Sequence, residues 1–100
     1  MIIPSVNLFG DQFWYDSMGR YHRDGAPAII NADGSVAWYK HGKLHREDGP
    51  AVEFSSGNGA TLWYLNNRRY DNANLFCLAA DIKGKHKTLF LIKYAKYFTD

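Results

Sequence analysis

The sequence predicts an α+β fold: an antiparallel β-hairpin repeat meander over residues 12–70, followed by a C-terminal helical region over residues 71–100, all in one domain. Three observations predict it. A Trp-Tyr pair recurs as Trp14-Tyr15, Trp38-Tyr39 and Trp63-Tyr64, at intervals of 24 and 25 residues. Behind the first pair runs Gly19-Arg20-Tyr21-His22-Arg23-Asp24-Gly25-Ala26-Pro27-Ala28-Ile29, and behind the second Gly42-Lys43-Leu44-His45-Arg46-Glu47-Asp48-Gly49-Pro50-Ala51-Val52. Past Tyr70 the apolar residues fall near a 3.6-residue period.

Each element has a local reason. Trp-Tyr belongs in a strand, where aromatic side chains fit a pleated, half-buried surface. Asp33-Gly34, His41-Gly42, Asn58-Gly59 and Asn66-Asn67 are turn pairs, since Gly and Asn tolerate positive φ. Residues 28–31 and 36–40 flank the first of these as a hairpin, and residues 51–54 and 61–65 flank the third. The Asp-Gly and Gly-Pro elements of residues 45–51 form a corner that a central strand cannot run through. A unit of this size cannot bury its own apolar face, so units stack and the end units need capping. Behind the third Trp-Tyr, Asn66-Asn67-Arg68-Arg69-Tyr70-Asp71 keeps the turn but lacks His-Arg and Gly-Pro-Ala; this last unit reads as a cap.

Asp71 or Asn72 then caps the start of a helix. Leu75, Phe76, Leu78, Ala79 and Ile82 form its apolar stripe, and Gly84 with the neighbouring lysines ends it. Residues 88–98 suit either a helix that is apolar nearly all round or a poorly alternating strand; the helix is preferred.

Composition fits a compact domain. Hydrophobic residues make up 46% of the chain and aromatics 16%, enough to form a core and to argue against disorder. The large rings are expected to be that core first. A formal charge of +2 does not by itself indicate a nucleic-acid or membrane partner. The basic residues are uneven, however: residues 83–96 hold five Lys and His86 and no acid. The single Cys77 excludes an internal disulfide and a cysteine-only zinc site, and a reduced cytoplasmic setting fits it best. Cys77 reads as a small buried hydrophobe. Met1-Ile2-Ile3-Pro4 lacks the pattern of a signal peptide. The apolar run Leu89-Phe90-Leu91-Ile92 is too short to span a bilayer. A soluble protein with no membrane partner is expected.

The His-Arg-x-Asp-Gly-Pro-Ala and Trp-Tyr-x-x-Gly-Lys pattern resembles the MORN-like repeats common in bacteriophage and bacterial proteins. Residues 38–51 carry it almost intact and residues 14–28 with one inserted residue; the resemblance covers residues 12–70 and leaves 75–100 outside. It implies short antiparallel hairpins used as a scaffold, a phage origin, and action in the cytoplasm of a bacterial host cell.

His22-Arg23 and His45-Arg46, with Asp24 and Asp48 nearby, could be read as a hydrolytic or metal centre, since His transfers protons near neutral pH and Arg clamps phosphates. A group that recurs once per unit serves the unit, whereas catalysis needs one copy. The preferred reading pairs Arg with the Asp of its own or a neighbouring turn and hydrogen-bonds His to a corner carbonyl. No catalytic residue, metal ligand set or cofactor motif is assigned. Trp is expected to point into the core and Tyr outward, which would line up Tyr15, Tyr39 and Tyr64 across adjacent strands. An aromatic row flanked by His22, Arg23, His45, Arg46, Arg68 and Arg69 has the composition of a protein-binding surface. The expected function is therefore a non-enzymatic protein-binding module that binds a host defence or metabolic protein and blocks it. The partner could also be a second copy, through a homodimer formed by the C-terminal region. The alternative is nucleic-acid binding by the Lys-rich tail and the aromatics; a small hydrolase using His22 or His45 ranks third.

Overall fold

A computed structural model describes residues 3–55 and 59–97 of the chain. The architecture is α+β, with nine short strands, two helices and a 3-10 turn among the described residues. The strands are β1 (Ser5–Val6), β2 (Gln12–Phe13), β3 (Ile29–Ile30), β4 (Val36–Ala37), β5 (Tyr39–Lys40), β6 (Lys43–Leu44), β7 (Val52–Glu53), β8 (Thr61–Leu65) and β9 (Arg68–Tyr70). The helices are α1 (Ala73–Ala80) and α2 (Gly84–Lys93), and the 3-10 turn is Ala95–Tyr97. Every strand pair is antiparallel. The main sheet runs β1-β2-β3-β4-β7-β8-β9, and β5-β6 form a separate hairpin.

Each tryptophan is a pivot between two ladders. Ahead of it, the chain pairs with the strand that follows Pro-Ala: Trp14 donates its amide to the Ala28 carbonyl at 2.8 Å and Trp38 to that of Ala51 at 2.6 Å. Beyond it, the chain pairs with the His-Arg segment: His22 donates its amide to the Trp14 carbonyl and His45 to that of Trp38, both at 3.0 Å. The repeat predicted at residues 28–31 and 36–40 is thus a hairpin whose second arm is broken at Trp38 into β4 and β5. The turns of the second ladder follow the residue types. Lys40 and Lys43 pair across His41-Gly42, with φ of 48° and 82°; Leu65 and Arg68 pair across Asn66-Asn67, with φ of 49° and 69°. Two positive φ values in a two-residue loop are what a hairpin with right-handed strand twist demands. The turn expected at Asn58-Gly59 falls partly outside the described residues.

The repeat begins earlier than residue 12. β1 pairs with β2 across a loop in which the Asn7 amide bonds the Asp11 carbonyl and Gly10 takes φ of 88°. The β3–β4 loop repeats this with Asn31, Ser35 and Gly34. Neighbouring loops are tied together, since Asp11 Oδ1 accepts the Ala32 amide at 2.7 Å and Ser35 Oγ accepts the Ser55 amide at 3.0 Å.

After β9 the chain turns helical as expected, with different bounds and facing. Asn72 is the cap, accepting the Leu75 amide at 2.9 Å, but α1 ends at Ala80, where Asp81 takes a left-handed conformation. Gly84 opens α2 instead of closing α1. The buried face of α1 is Ala73, Phe76 and Cys77, while Leu75 and Leu78 of the predicted stripe, and Ala79 with them, face solvent. Phasing is set by what α1 must cover, which is Trp63. Residues 88–93 are helical and 95–97 lie in the 3-10 turn, with Tyr94 as the cap between them; Phe98 lies outside the described residues.

The core collects Trp63, Ala73, Phe76, Cys77, Phe90 and Tyr94. Rings of Phe76, Phe90, Tyr94 and Tyr97 surround the Trp63 indole with centroids 5.0–5.9 Å away. The third unit has lost the arginine that covers the other two tryptophans, and the helices take over that covering role. No helix among the described residues is long and apolar enough to cross a membrane.

Candidate functional site

The two recurring His-Arg corners are built alike. Arg23 lies over the Trp14 ring with its guanidinium carbon 3.8 Å from the ring centroid, and Arg46 lies over Trp38 at 4.0 Å. Each also donates from Nη1 to the carbonyl of the proline in its own corner: Arg23 to Pro27 at 3.3 Å and Arg46 to Pro50 at 3.2 Å. A planar guanidinium can do both at once, stacking with its face and donating from its edge. Arg46 is the more deeply held, buried with Nε 2.9 Å from Asp48 Oδ1 and Nη1 3.5 Å from Glu53.

The histidines join one unit to the next. His22 Nδ1 accepts the backbone amide of His41 at 3.0 Å, and His45 Nδ1 accepts that of Asn66 at 3.0 Å. His41 and Asn66 occupy the same position, the first positive-φ residue of their turns. The role is the reverse of a bond to a corner carbonyl: the ring nitrogen accepts, so Nδ1 carries no proton and the neutral ring is the Nε2–H tautomer. That Nε2 faces a carboxylate in each case, Asp24 at 3.4 Å and Glu47 at 3.3 Å. Nδ1 of each ring is thus committed to holding one unit to the next, and each Nε2 lies beside an exposed carboxylate. Among the described residues no group of three His, Cys, Asp or Glu side chains is placed to hold a metal ion.

Of the tyrosines expected to form an outward row, Tyr15 and Tyr39 are linked through Tyr21, and only Tyr15 is exposed. Tyr15 stacks on Tyr21 at 5.3 Å and Tyr21 meets Tyr39 at 5.3 Å, while Leu44 pairs with Tyr39 across the next ladder step. Tyr64 follows on β8. Tyr15 is exposed and Tyr21, Tyr39 and Tyr64 are half-buried. Burial, with Tyr21 and Tyr64 close by, pushes the Tyr39 hydroxyl above its ordinary pKa. Arg68 and Arg69 are exposed on β9, Arg68 5.5 Å from the Tyr70 ring centre. Trp14 and Trp63 are buried, and Trp38 is half-buried with its indole nitrogen enclosed and unbonded among the described residues.

Sequence reasoning missed a second cluster. Asp16 Oδ2 accepts from Arg20 Nε at 2.8 Å and lies 2.8 Å from His41 Nδ1, while its Oδ1 accepts the amides of Met18 and Arg20. The His41 bond first, then the Arg20 and Met18 contacts, hold the Asp16 carboxyl well below the usual carboxylate range. The His41 ring stacks on His22 at 4.0 Å. The signal was present: Asp16-Ser17-Met18-Gly19 holds the one-residue insertion of the first unit, and an Asp opening such a loop caps its own amides.

Several large apolar side chains stand in solvent on the first loop and on the helices. Leu8 and Phe9 project fully from the β1–β2 loop, and Leu78, Leu89 and Ile92 are 80%, 64% and 70% exposed on the helices. No family model, curated protein or solved structure matches this chain.

Proposed function

We propose that this protein is a non-enzymatic protein-binding module, a stacked hairpin scaffold that presents apolar surface to another protein. The observation that carries the reading is the division of labour among its side chains. The polar groups that recur, His22, Arg23, His45 and Arg46, are spent on bonds within and between units, while large apolar side chains stand in solvent on the helices and the first loop. Contiguous exposed apolar side chains mark interaction surfaces. A standard interface needs only about 800 Å² from each partner, which one face of a small domain supplies. The resemblance to repeats common in phage proteins leads us to place the partner among bacterial host proteins in the cytoplasm, with inhibition by steric occlusion as the outcome.

Tagged protein is incubated with bacterial lysate, and the recovered complex is separated by size exclusion. A discrete complex of fixed stoichiometry, insensitive to nuclease, is expected. A chain that emerges alone, or a complex that nuclease dissolves, would refute the reading.

The lysines of residues 83–96 favour nucleic acid as the second reading. The aromatics give it less support, because Tyr15, Tyr21 and Tyr39 stack on one another and the Trp14 and Trp38 faces carry arginine. Phosphate contacts would make affinity for a labelled oligonucleotide fall steeply between two salt concentrations; no binding at low salt removes this alternative.

A further inference from the structure

Resting on the binding-module reading, we infer that the groove between α1 and α2 is the docking site, and that its occupant is a partner helix with an apolar stripe flanked by acidic residues. The groove has a volume of about 390 Å³ and is lined by Cys77, Leu78, Ile82 and Leu91, with Asn74 and the charged Asp81, Lys83 and Lys87 beside them. Leu78 stands 80% exposed there, although the helix turned its other face to Trp63. With 8 and 10 residues, α1 and α2 run for roughly 12–15 Å, the span of two to three turns of a helix laid between them. Helix-in-groove docking needs little more than an apolar trough of that length and a charge pattern beside it.

Charge complementarity selects the occupant. Residues 83–97 carry five lysines and no acid. Lys83 pairs with Asp81 at 3.3 Å, both largely exposed, whereas Lys85, Lys87 and Lys93 have no carboxylate partner among the described residues. Lys83, Lys85 and Lys87 also crowd the start of α2, where the helix dipole is already positive. An acidic rim on the partner relieves this repulsion. A second copy docked by a two-fold axis on the same groove would set Lys83 and Lys87 against their own counterparts. A bilayer surface fits less well: basic and apolar residues alternate around α2, with Phe90 and Tyr94 turned into the core, so no segregated apolar face is left to lie flat in lipid.

The test uses the full chain and two labelled peptides that share one apolar stripe, spaced i, i+3, i+4, i+7, one flanked by Glu and the other by Lys. The Glu peptide is expected to bind at least tenfold more tightly. Leu78→Glu and Lys87→Glu should each weaken it tenfold or more while leaving the circular dichroism spectrum unchanged, since both side chains face solvent. Leu8→Glu, at the far end, should leave it unaltered. Equal affinity for the two peptides, or none for either, overturns the inference, as does tighter binding to vesicles of anionic lipid or self-association that Leu78→Glu abolishes. Lysate capture separates the two levels. A complex retained by Leu78→Glu and Lys87→Glu leaves the binding module standing and removes this groove, whereas a chain that captures nothing removes the module itself.

Discussion

Replacing Arg46 by Met keeps a long apolar stem over the Trp38 indole and deletes the charged head. Three contacts go. The cation over the ring is worth about 1 kcal/mol. The carbonyl of Pro50, a fully buried residue, loses its charged donor, which costs about 1–3 kcal/mol because a buried acceptor is left unpaired. The bond to Asp48 adds at most about 1 kcal/mol, since that carboxylate is 80% exposed. The expected loss is about 3 kcal/mol, a large share of the roughly 5–15 kcal/mol that holds a domain of this size together. It corresponds to a fall in Tm of roughly 15 °C. Urea unfolding followed by tryptophan fluorescence measures it, with an unchanged denaturant slope as the sign that only stability has moved. Arg23→Met should cost about 1 kcal/mol less, because Gly25 stands where Asp48 stands and Arg23 has no carboxylate partner among the described residues. An Arg46→Met protein that unfolds within about 0.5 kcal/mol of the parent, the range of an ordinary surface change, would refute a stabilising role for this stack.

Gly49→Ala should destabilise by about 1–3 kcal/mol, because a Cβ there would collide with the Tyr94 hydroxyl and the Arg46 guanidinium. Tyr94→Phe removes a buried hydroxyl that has no partner among the described residues, so alone it should be close to neutral, and in the double variant it should recover part of the loss in thermal melts, the Arg46 contact remaining. Phe76→Ala empties a site with no solvent access beside Trp63 and should cost about 3–5 kcal/mol in the same urea assay. Acid sensitivity follows from Asp16, Asp11 and Asp33, all held below the ordinary carboxylate value: Asp16 chiefly by His41, Asp11 by the Asn7 side chain, and Asp33 by the Ser35 amide. A depressed folded-state pKa contributes stability that is fully present above about pH 4 and is lost as the pH falls below it. Asp16→Asn should therefore be less stable at pH 7 and lose less on going from pH 4 to pH 2.

The tryptophan spacing made the repeats legible, and the missing His-Arg of the third unit made its capping role legible. The physical content of that loss was not. Arg23 and Arg46 cover their indoles, so a unit without arginine must cover Trp63 by other means, and this long-range demand phases α1 with Phe76 and Cys77 inward and Leu75 and Leu78 outward. Apolar spacing along the helix alone could not choose between those faces. Gly49 looked like one more turn glycine, yet its φ is not positive and it exists for the close approach of Tyr94. Counted from the histidines, Gly49 falls opposite Ala26, which has no Tyr94 above it. β1 was overlooked because its own unit lacks a tryptophan, although Asn7 and Gly10 stand 24 residues before Asn31 and Gly34. The clusters that join units, His22 on His41 and His45 on the Asn66 amide, depend on residues about 20 apart that only the stacking brings together.

The conserved geometry of the two corners rests on two nitrogen-to-nitrogen hydrogen bonds, and heteronuclear NMR reads them directly. In uniformly ¹⁵N-labelled protein, scalar coupling across the bond is expected between the amide of Asn66 and Nδ1 of His45, and between the amide of His41 and Nδ1 of His22, with both rings in the Nε2–H form. Rings protonated at Nδ1, with no such coupling and with the two amides exchanging as fast as open loop, would contradict the assignment of these residues to architecture.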